Sequence, residues 1–157
     1  MLKNQLLQQA LAKTEQGVQD KASYDKIYKS GLKVIYNKDT FQQLAQSVAQ
    51  SKNPAQDIAK GIVAVLSVMA EKAKGTIPHA PLLQAGMALV LDALDFMEQA
   101  GLGKIDKSVL DEATSAYVDA ILPLVGLTTG KLNAALGQIR DVSADPQRMA
   151  QYKGSLK

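Results

Sequence analysis

Apolar residues recur along the chain at intervals of three and four positions, the period of a helix with one buried face. The pattern is densest between Gly61 and Gly101, where the apolar segments 62–73 and 82–99 flank the breaker GTIPHAP at Gly75–Pro81. The large aliphatic residues are concentrated in this region. We therefore predict a helical hairpin that forms the spine of the fold.

Three helices are predicted before the hairpin. The first spans Leu2 to about Gln16, the second Lys21 to Tyr36, and the third begins at Asp39, a capping residue, and ends near Ser51. Gly31 lies within the second helix, where glycine is unfavourable, so it predicts a close helix crossing or a kink. The inner side of the second helix is marked by Tyr24, Ile27, Tyr28, Val34 and Ile35.

Start signals also define the later helices. Asn53 as a cap and Pro54 at the first helical position predict the start of the fourth helix, and Pro81 predicts that of the fifth. Asp106 caps the sixth, with Ile105 and Leu110 as a hydrophobic staple. We expect Pro123 to kink or end this helix.

Two weaker helices are predicted beyond it, from Thr128 or Thr129 through Ile139 and from Asp145 onward. No alternating strand pattern and no internal repeat is present in the sequence. We predict an all-α fold, a single-domain bundle of about six to eight helices around the central hairpin. We expect residues 1–157 to form one domain, in which 1–18 is either an arm that orders only in an assembly or a helix packed on the domain itself, and 142–157 is a peripheral tail.

Composition excludes several functions. The chain has no cysteine, so disulfides, thiolate metal sites and a cysteine nucleophile are excluded, which fits a reducing compartment. The only arginines, Arg140 and Arg148, belong to no basic cluster interleaved with aromatics. Specific nucleic-acid binding is therefore not predicted, although the net charge is +3.

The charge is unevenly distributed. Met1–Lys74 holds 11 lysines and 6 acids, whereas Gly75–Lys157 holds 7 basic residues and 9 acids. Such polarity either guides copies to dock head-to-tail or is scatter on a solvated surface.

No membrane span or signal peptide is predicted. The longest uncharged run, Gly75–Leu91, contains Pro78 and Pro81 and is shorter than the ~20 apolar residues that a bilayer requires. The N-terminus lacks a continuous apolar run. We expect a soluble chain.

Candidate catalytic groups are few. The only histidine, His79, is predicted in the hairpin loop without a second histidine or an aimed acid, which favours a structural role. Asp92 and Asp95 lie one turn apart and are followed by Glu98, and the stretch from Asp92 to Asp119 holds 7 acids and 2 lysines. We interpret this stretch as a solvated acidic face, which is either simply wet or meets a lysine-rich neighbour. We therefore predict no enzyme, metal site or cofactor.

The fifth helix is apolar around most of its circumference, which is typical of a helix that is central or covered by a partner chain. We predict that it contributes a partner or oligomer surface. The residues assigned to this surface are Leu82, Leu89, Leu91, Phe96, Asp92 and Asp95.

Two runs, KIYKSGLKVIY at Lys26–Tyr36 and the hairpin from Gly61 to Asp106, resemble small helical proteins of tailed-bacteriophage virions. The resemblance implies a structural component of the head, neck or tail that is present in several copies. It implies that the chain binds further copies of itself and other virion proteins. It also implies that the chain is located in the virion, which is assembled in the host cytoplasm. If the chain is not a virion protein, we expect it in the cytoplasm. It supplies no catalytic residues.

Two alternatives remain open. One is a membrane-active or ejection-type helical bundle, although Lys72, Lys74 and the acids of the fifth helix make insertion costly. The other is a host-interaction or regulatory binding module.

Overall fold

The computed structural model describes residues 2–74 and 76–125, and within them the chain forms six helices and no strand. The all-α prediction is confirmed. The helices are α1 (Gln5–Gln16), α2 (Lys21–Ile35), α3 (Lys38–Gln50), α4 (Pro54–Lys72), α5 (His79–Gln99) and α6 (Lys107–Val125). The helices predicted from Thr128 and Asp145, and the tail 142–157, lie outside the described residues.

Asparagine and aspartate side chains begin the first three helices. The Asn4 side chain accepts hydrogen bonds from the amides of the first turn of α1, and Asp20 accepts from Ser23 N at 3.0 Å in α2. For α3 the predicted cap, Asp39, was wrong. The cap is Asn37, whose side chain accepts from Asp39 N at 3.1 Å, because the turn after α2 already presents an asparagine, an equally good cap.

Proline positions fix the starts of α4 and α5. Pro54 is the first residue of α4 as predicted, and Asn53 holds the cap position, but without a capping hydrogen bond from its side chain. Helix α5 begins at His79, so Pro81 is its third residue rather than its first. A proline is tolerated there because the first-turn amides have no partner within the helix.

The start of α6 agrees with the prediction. Asp106 Oδ1 accepts from Val109 N at 2.9 Å, and both residues of the staple, Ile105 and Leu110, are buried. Pro123 does not end the helix, which continues to Val125.

Helix α5 lies at the centre and contacts α1, α2, α4 and α6. Each of its residues from Pro81 to Leu91 is buried. The hairpin prediction is refined here: the most extensive contacts of α4 are with α6 and those of α5 are with α2, so the spine is α5 alone. Val34, predicted on the inner side of α2, is exposed.

Two glycines permit the close approach of neighbouring helices to α5. A Cβ at Gly31 of α2 would overlap the side chain of Leu89, which confirms the predicted close crossing. A Cβ at Gly86 would overlap both the Tyr117 hydroxyl and the side chain of Leu66. The Tyr117 hydroxyl instead donates to the Leu83 carbonyl at 2.7 Å, so α4, α5 and α6 meet around Gly86.

Candidate functional site

The predicted partner surface on α5 is corrected by the structure. Leu82, Leu89 and Leu91 are buried by the chain's own helices, and Asp95 is only 3% exposed. Phe96 and Asp92 are half-buried. The sequence identified an apolar surplus on α5, but packing against α1, α2, α4 and α6 covers it.

Asp95 binds the backbone of the N-terminal segment. Its Oδ1 accepts from Lys3 N at 2.9 Å and from Asn4 N at 3.1 Å, and its Oδ2 accepts from the Gln99 side chain. These amides precede α1 and have no helical partner of their own. A carboxylate is the strongest acceptor for them, because charge-assisted hydrogen bonds exceed neutral ones.

Asn4 joins three parts of the chain. Its side-chain Nδ2 donates to the Glu98 carboxylate at 3.0 Å and to the Ile105 carbonyl at 3.2 Å. Its Oδ1 accepts from Leu6 N at 2.9 Å. Glu98 also accepts from Ile105 N at 2.6 Å. The end of α5, the loop before α6 and the start of α1 are thereby fixed together.

Asp92 pairs with α2. The Tyr28 hydroxyl donates to its Oδ2, and the Tyr28 ring stacks on Tyr24 with the centroids 5.9 Å apart. Burial raises the pKa of Asp92, an effect that the Tyr28 hydrogen bond opposes and the charge of Asp95 reinforces. Burial, followed by the hydrogen bond to Asp92, raises the pKa of Tyr28.

The prediction of a solvated acidic face is therefore wrong for Asp95, which is buried, whereas Asp92 and Glu98 are half-buried and Asp106 and Asp119 are exposed. The carboxylates of Asp92, Asp95 and Glu98 accept hydrogen bonds from α2, from the segment before α1 and from the loop before α6, respectively. Buried Asp95 is therefore not available for docking on a lysine-rich neighbour. Among residues 2–74 and 76–125, no group of three or more His, Asp or Glu side chains is placed to hold a metal ion.

His79 is exposed at the first position of α5 and not in the preceding loop. Asp92 lies thirteen residues further along the same helix, which is about 20 Å at the rise of an α-helix. The structure does not bring the histidine and the acids together.

An aromatic face lies where α2, α3 and the end of α5 meet; we define it as Tyr36, Phe41, Phe96 and Leu102. The Phe41 and Phe96 rings pack edge to face at 4.6 Å, and Tyr36 lies 6.0 Å from Phe41 and 6.4 Å from Phe96. Tyr36 is 46% exposed and Leu102 is 36% exposed. The hollow beside them holds only about 10 Å³, room for about one water, so this is a packed surface rather than a ligand pocket.

Of the four residues of the aromatic face, sequence reasoning assigned only Phe96 to a partner surface. One signal could have indicated the rest of the face. Aromatic residues make up only 4% of the chain, yet Tyr36 and Phe41 lie within six residues of each other at the α2–α3 turn.

A larger groove lies at the other end of the fold. It has a volume of about 440 Å³ and is formed by α2, the last turns of α4 and the loop before α5. We define the α2–α4 groove by its apolar residues Ile27, Met69 and Ile77, by Lys26 and Lys72, and by Ser30. Sequence reasoning did not predict this groove, because its two walls, within residues 23–30 and 69–78, are far apart along the chain.

Helix α5 is long and apolar enough to cross a membrane, with 21 residues and a mean hydropathy of 1.4, and it alone passes this test among the described residues. In the folded chain 83% of its apolar window is buried by protein. A core helix of this length meets the same criterion.

No known protein family, no curated protein and no solved structure matches the chain.

Proposed function

We propose that this chain is a non-enzymatic structural or assembly protein that binds further copies of itself through the aromatic face. The observation that carries the proposal is the half-exposed cluster of Tyr36, Phe41 and Phe96 beside the exposed Leu102. Aromatic residues are enriched in the buried centres of protein interfaces and dominate their binding energy.

The geometry of the face favours a protein partner over a small ligand. Its rings are already packed on one another, so little side-chain freedom is lost on binding. A 10 Å³ hollow admits no organic molecule, whereas a surface with a packed aromatic centre suits another folded surface.

The resemblance of Lys26–Tyr36 and Gly61–Asp106 to virion proteins supports a place in a phage particle, in the head, neck or tail. Such particles are built from many copies of a few chains, which agrees with self-association. On this proposal the chain needs no cofactor, and its partners are itself and other virion proteins. Mass spectrometry of purified particles tests this part directly.

Self-association is tested by light scattering on the full chain over a concentration series. We expect the apparent mass to rise with concentration, and Tyr36→Asp and Leu102→Asp to keep the chain monomeric. Val68→Asp is the matched control, because Val68 is 51% exposed on α4 and outside the aromatic face. A mass that stays monomeric throughout, or that responds equally to all three variants, would contradict the proposal.

A second candidate, a membrane-active bundle, is favoured by the length and hydropathy of α5. To insert, α5 would have to leave four helices and carry Asp92, Asp95 and Glu98 into lipid, which is costly. Dye release from vesicles at neutral and acidic pH separates the candidates: release at either pH supports insertion, and no release at both pH values removes it.

A further inference from the structure

The α2–α4 groove has the volume of a ligand site and is separate from the aromatic face. Small-molecule sites in proteins occupy roughly 300–1,000 Å³, and this groove holds about 440 Å³. Its centre is apolar: Ile27 is buried, and Met69 and Ile77 are half-buried with part of their surface open to the groove.

Two lysines give the groove its charge. Lys26 of α2 and Lys72 of α4 both line it, both are exposed, and no acid is part of its lining. Neither ammonium has an ion-pair partner within residues 2–74 and 76–125. The nearest acids in sequence, Asp25 and Glu71, are the immediate neighbours of these lysines on their helices.

The helix ends near the groove contribute little to its electrostatic potential. The groove touches Pro78, which precedes the positive N-terminal end of α5 and provides no side-chain cap, and Ala73, at the negative C-terminal end of α4. These partial charges oppose each other. The two lysines therefore determine the sign of the potential.

We propose that the α2–α4 groove binds an anionic amphiphile, a molecule with an apolar chain and a carboxylate or phosphate head. The apolar tail of this ligand lies on Ile27, Met69 and Ile77, and its anionic head lies between Lys26 and Lys72. An apolar ligand without charge would leave both ammoniums unused, and a compact anion would leave the apolar residues uncovered.

The experiment is an NMR titration of the full chain, observing the methyl groups of Met69 and Ile77, with octanoate as the carboxylate probe and octyl phosphate as the phosphate probe. A ligand of this size binds with a dissociation constant on the order of 1 mM. We expect saturable shifts at these methyls with at least one anion, and the tighter probe identifies the head group. Octylammonium is the matched probe of opposite charge and is expected to bind more weakly.

Variants locate the site. Lys26→Gln and Lys72→Gln are each expected to weaken binding roughly two- to fivefold, the scale of an exposed ion pair. Lys60→Gln is the control, because Lys60 is exposed on the same helix about 18 Å from Lys72 and does not line the groove. Ser30→Leu places a larger side chain in the groove and is expected to weaken binding more than tenfold without unfolding the chain, which a thermal melt checks.

The proposal is overturned if neither anion shifts these methyls, or if octylammonium binds as tightly as both anions. It is also overturned if Lys60→Gln weakens binding as much as Lys72→Gln. None of these outcomes depends on self-association, since the aromatic face shares no residue with the groove.

Discussion

From Pro81 to Leu91, α5 carries one polar side chain, Gln84, whereas from Asp92 to Gln99 half of its residues are polar. Both halves are largely enclosed by the same chain, but by different interactions. The first is covered by apolar packing, with Gly86 admitting two neighbouring helices. The second half is held by hydrogen bonds: Asp95 accepts from backbone amides before α1, and Asp92 accepts from the Tyr28 hydroxyl.

The difference shows that a row of carboxylates on a helix need not mark its solvent side. An acid one turn from the next can equally supply acceptors for backbone amides that no helix satisfies. In this chain the polar half of α5 specifies where α1 and α2 lie, while the apolar half contributes most of the hydrophobic burial.

The largest effect is expected in the apolar half. Leu89→Ala removes a fully buried side chain at the α2–α5 crossing and should lower the free energy of unfolding by about 2–5 kcal/mol. Leu102→Ala, which truncates an exposed leucine, should change it by less than about 0.5 kcal/mol. Urea denaturation measures both, and equal losses would mean that α5 is not the core helix.

In the polar half, Asp95→Ala leaves the amides of Lys3 and Asn4 without their acceptor. We expect a loss of about 2–4 kcal/mol in the free energy of unfolding, since each unsatisfied buried donor costs about 1–3 kcal/mol. Asp95→Asn keeps one oxygen and should lose less. Hydrogen exchange in α1 should accelerate in Asp95→Ala; wild-type exchange there would show that the pairing does not hold α1.

Substitution of two glycines by alanine is expected to change the stability of the fold in opposite directions. Gly86→Ala should destabilise by about 1–3 kcal/mol, because its Cβ has no room between Leu66 and Tyr117. Gly61→Ala places a Cβ at an ordinary 3.5 Å from Leu44 and should stabilise α4 by up to about 1 kcal/mol, the helix preference for alanine. Thermal unfolding of the two variants is the measurement, and a shift of the same sign in both would contradict the packing described.

The smallest effect concerns Asp92 and pH. Burial raises its pKa in the folded state above the usual 3.8, so the folded chain holds this proton more tightly than the unfolded chain. The contribution of Asp92 to stability is therefore present at low pH and is lost as the pH rises through the raised pKa. Denaturation from pH 3 to pH 7 should show that Asp92→Asn lacks this part of the decline; identical wild-type and variant profiles would contradict it.

Helix positions followed from the sequence because their signals are local. The starts at Pro54 and Asp106 and the crossing at Gly31 depend on residues within a turn or two. The cap of α3 was misplaced by two residues because Asn37 and Asp39 are comparable caps and only the course of the chain after α2 decides between them.

The environment of the acids was not predictable in this way. The Asp95 amide partners lie 91 and 92 residues away along the chain, so their identity depends on where α1 packs. The same holds for the α2–α4 groove and for the aromatic face, where Phe96 meets Tyr36 and Phe41 from another part of the chain. Periodicity indicates that a face is buried, but it does not identify the neighbour.

The central claim is that the chain's own helices, and not a partner, bury α5. Native-state hydrogen exchange of the amides from Leu83 to Met97, measured on the full chain at concentrations below and above self-association, tests it most directly. We predict that these amides exchange only through global unfolding at both concentrations, while protection changes at the aromatic face. Fast exchange in α5 at low concentration, slowed when the chain associates, would contradict the claim.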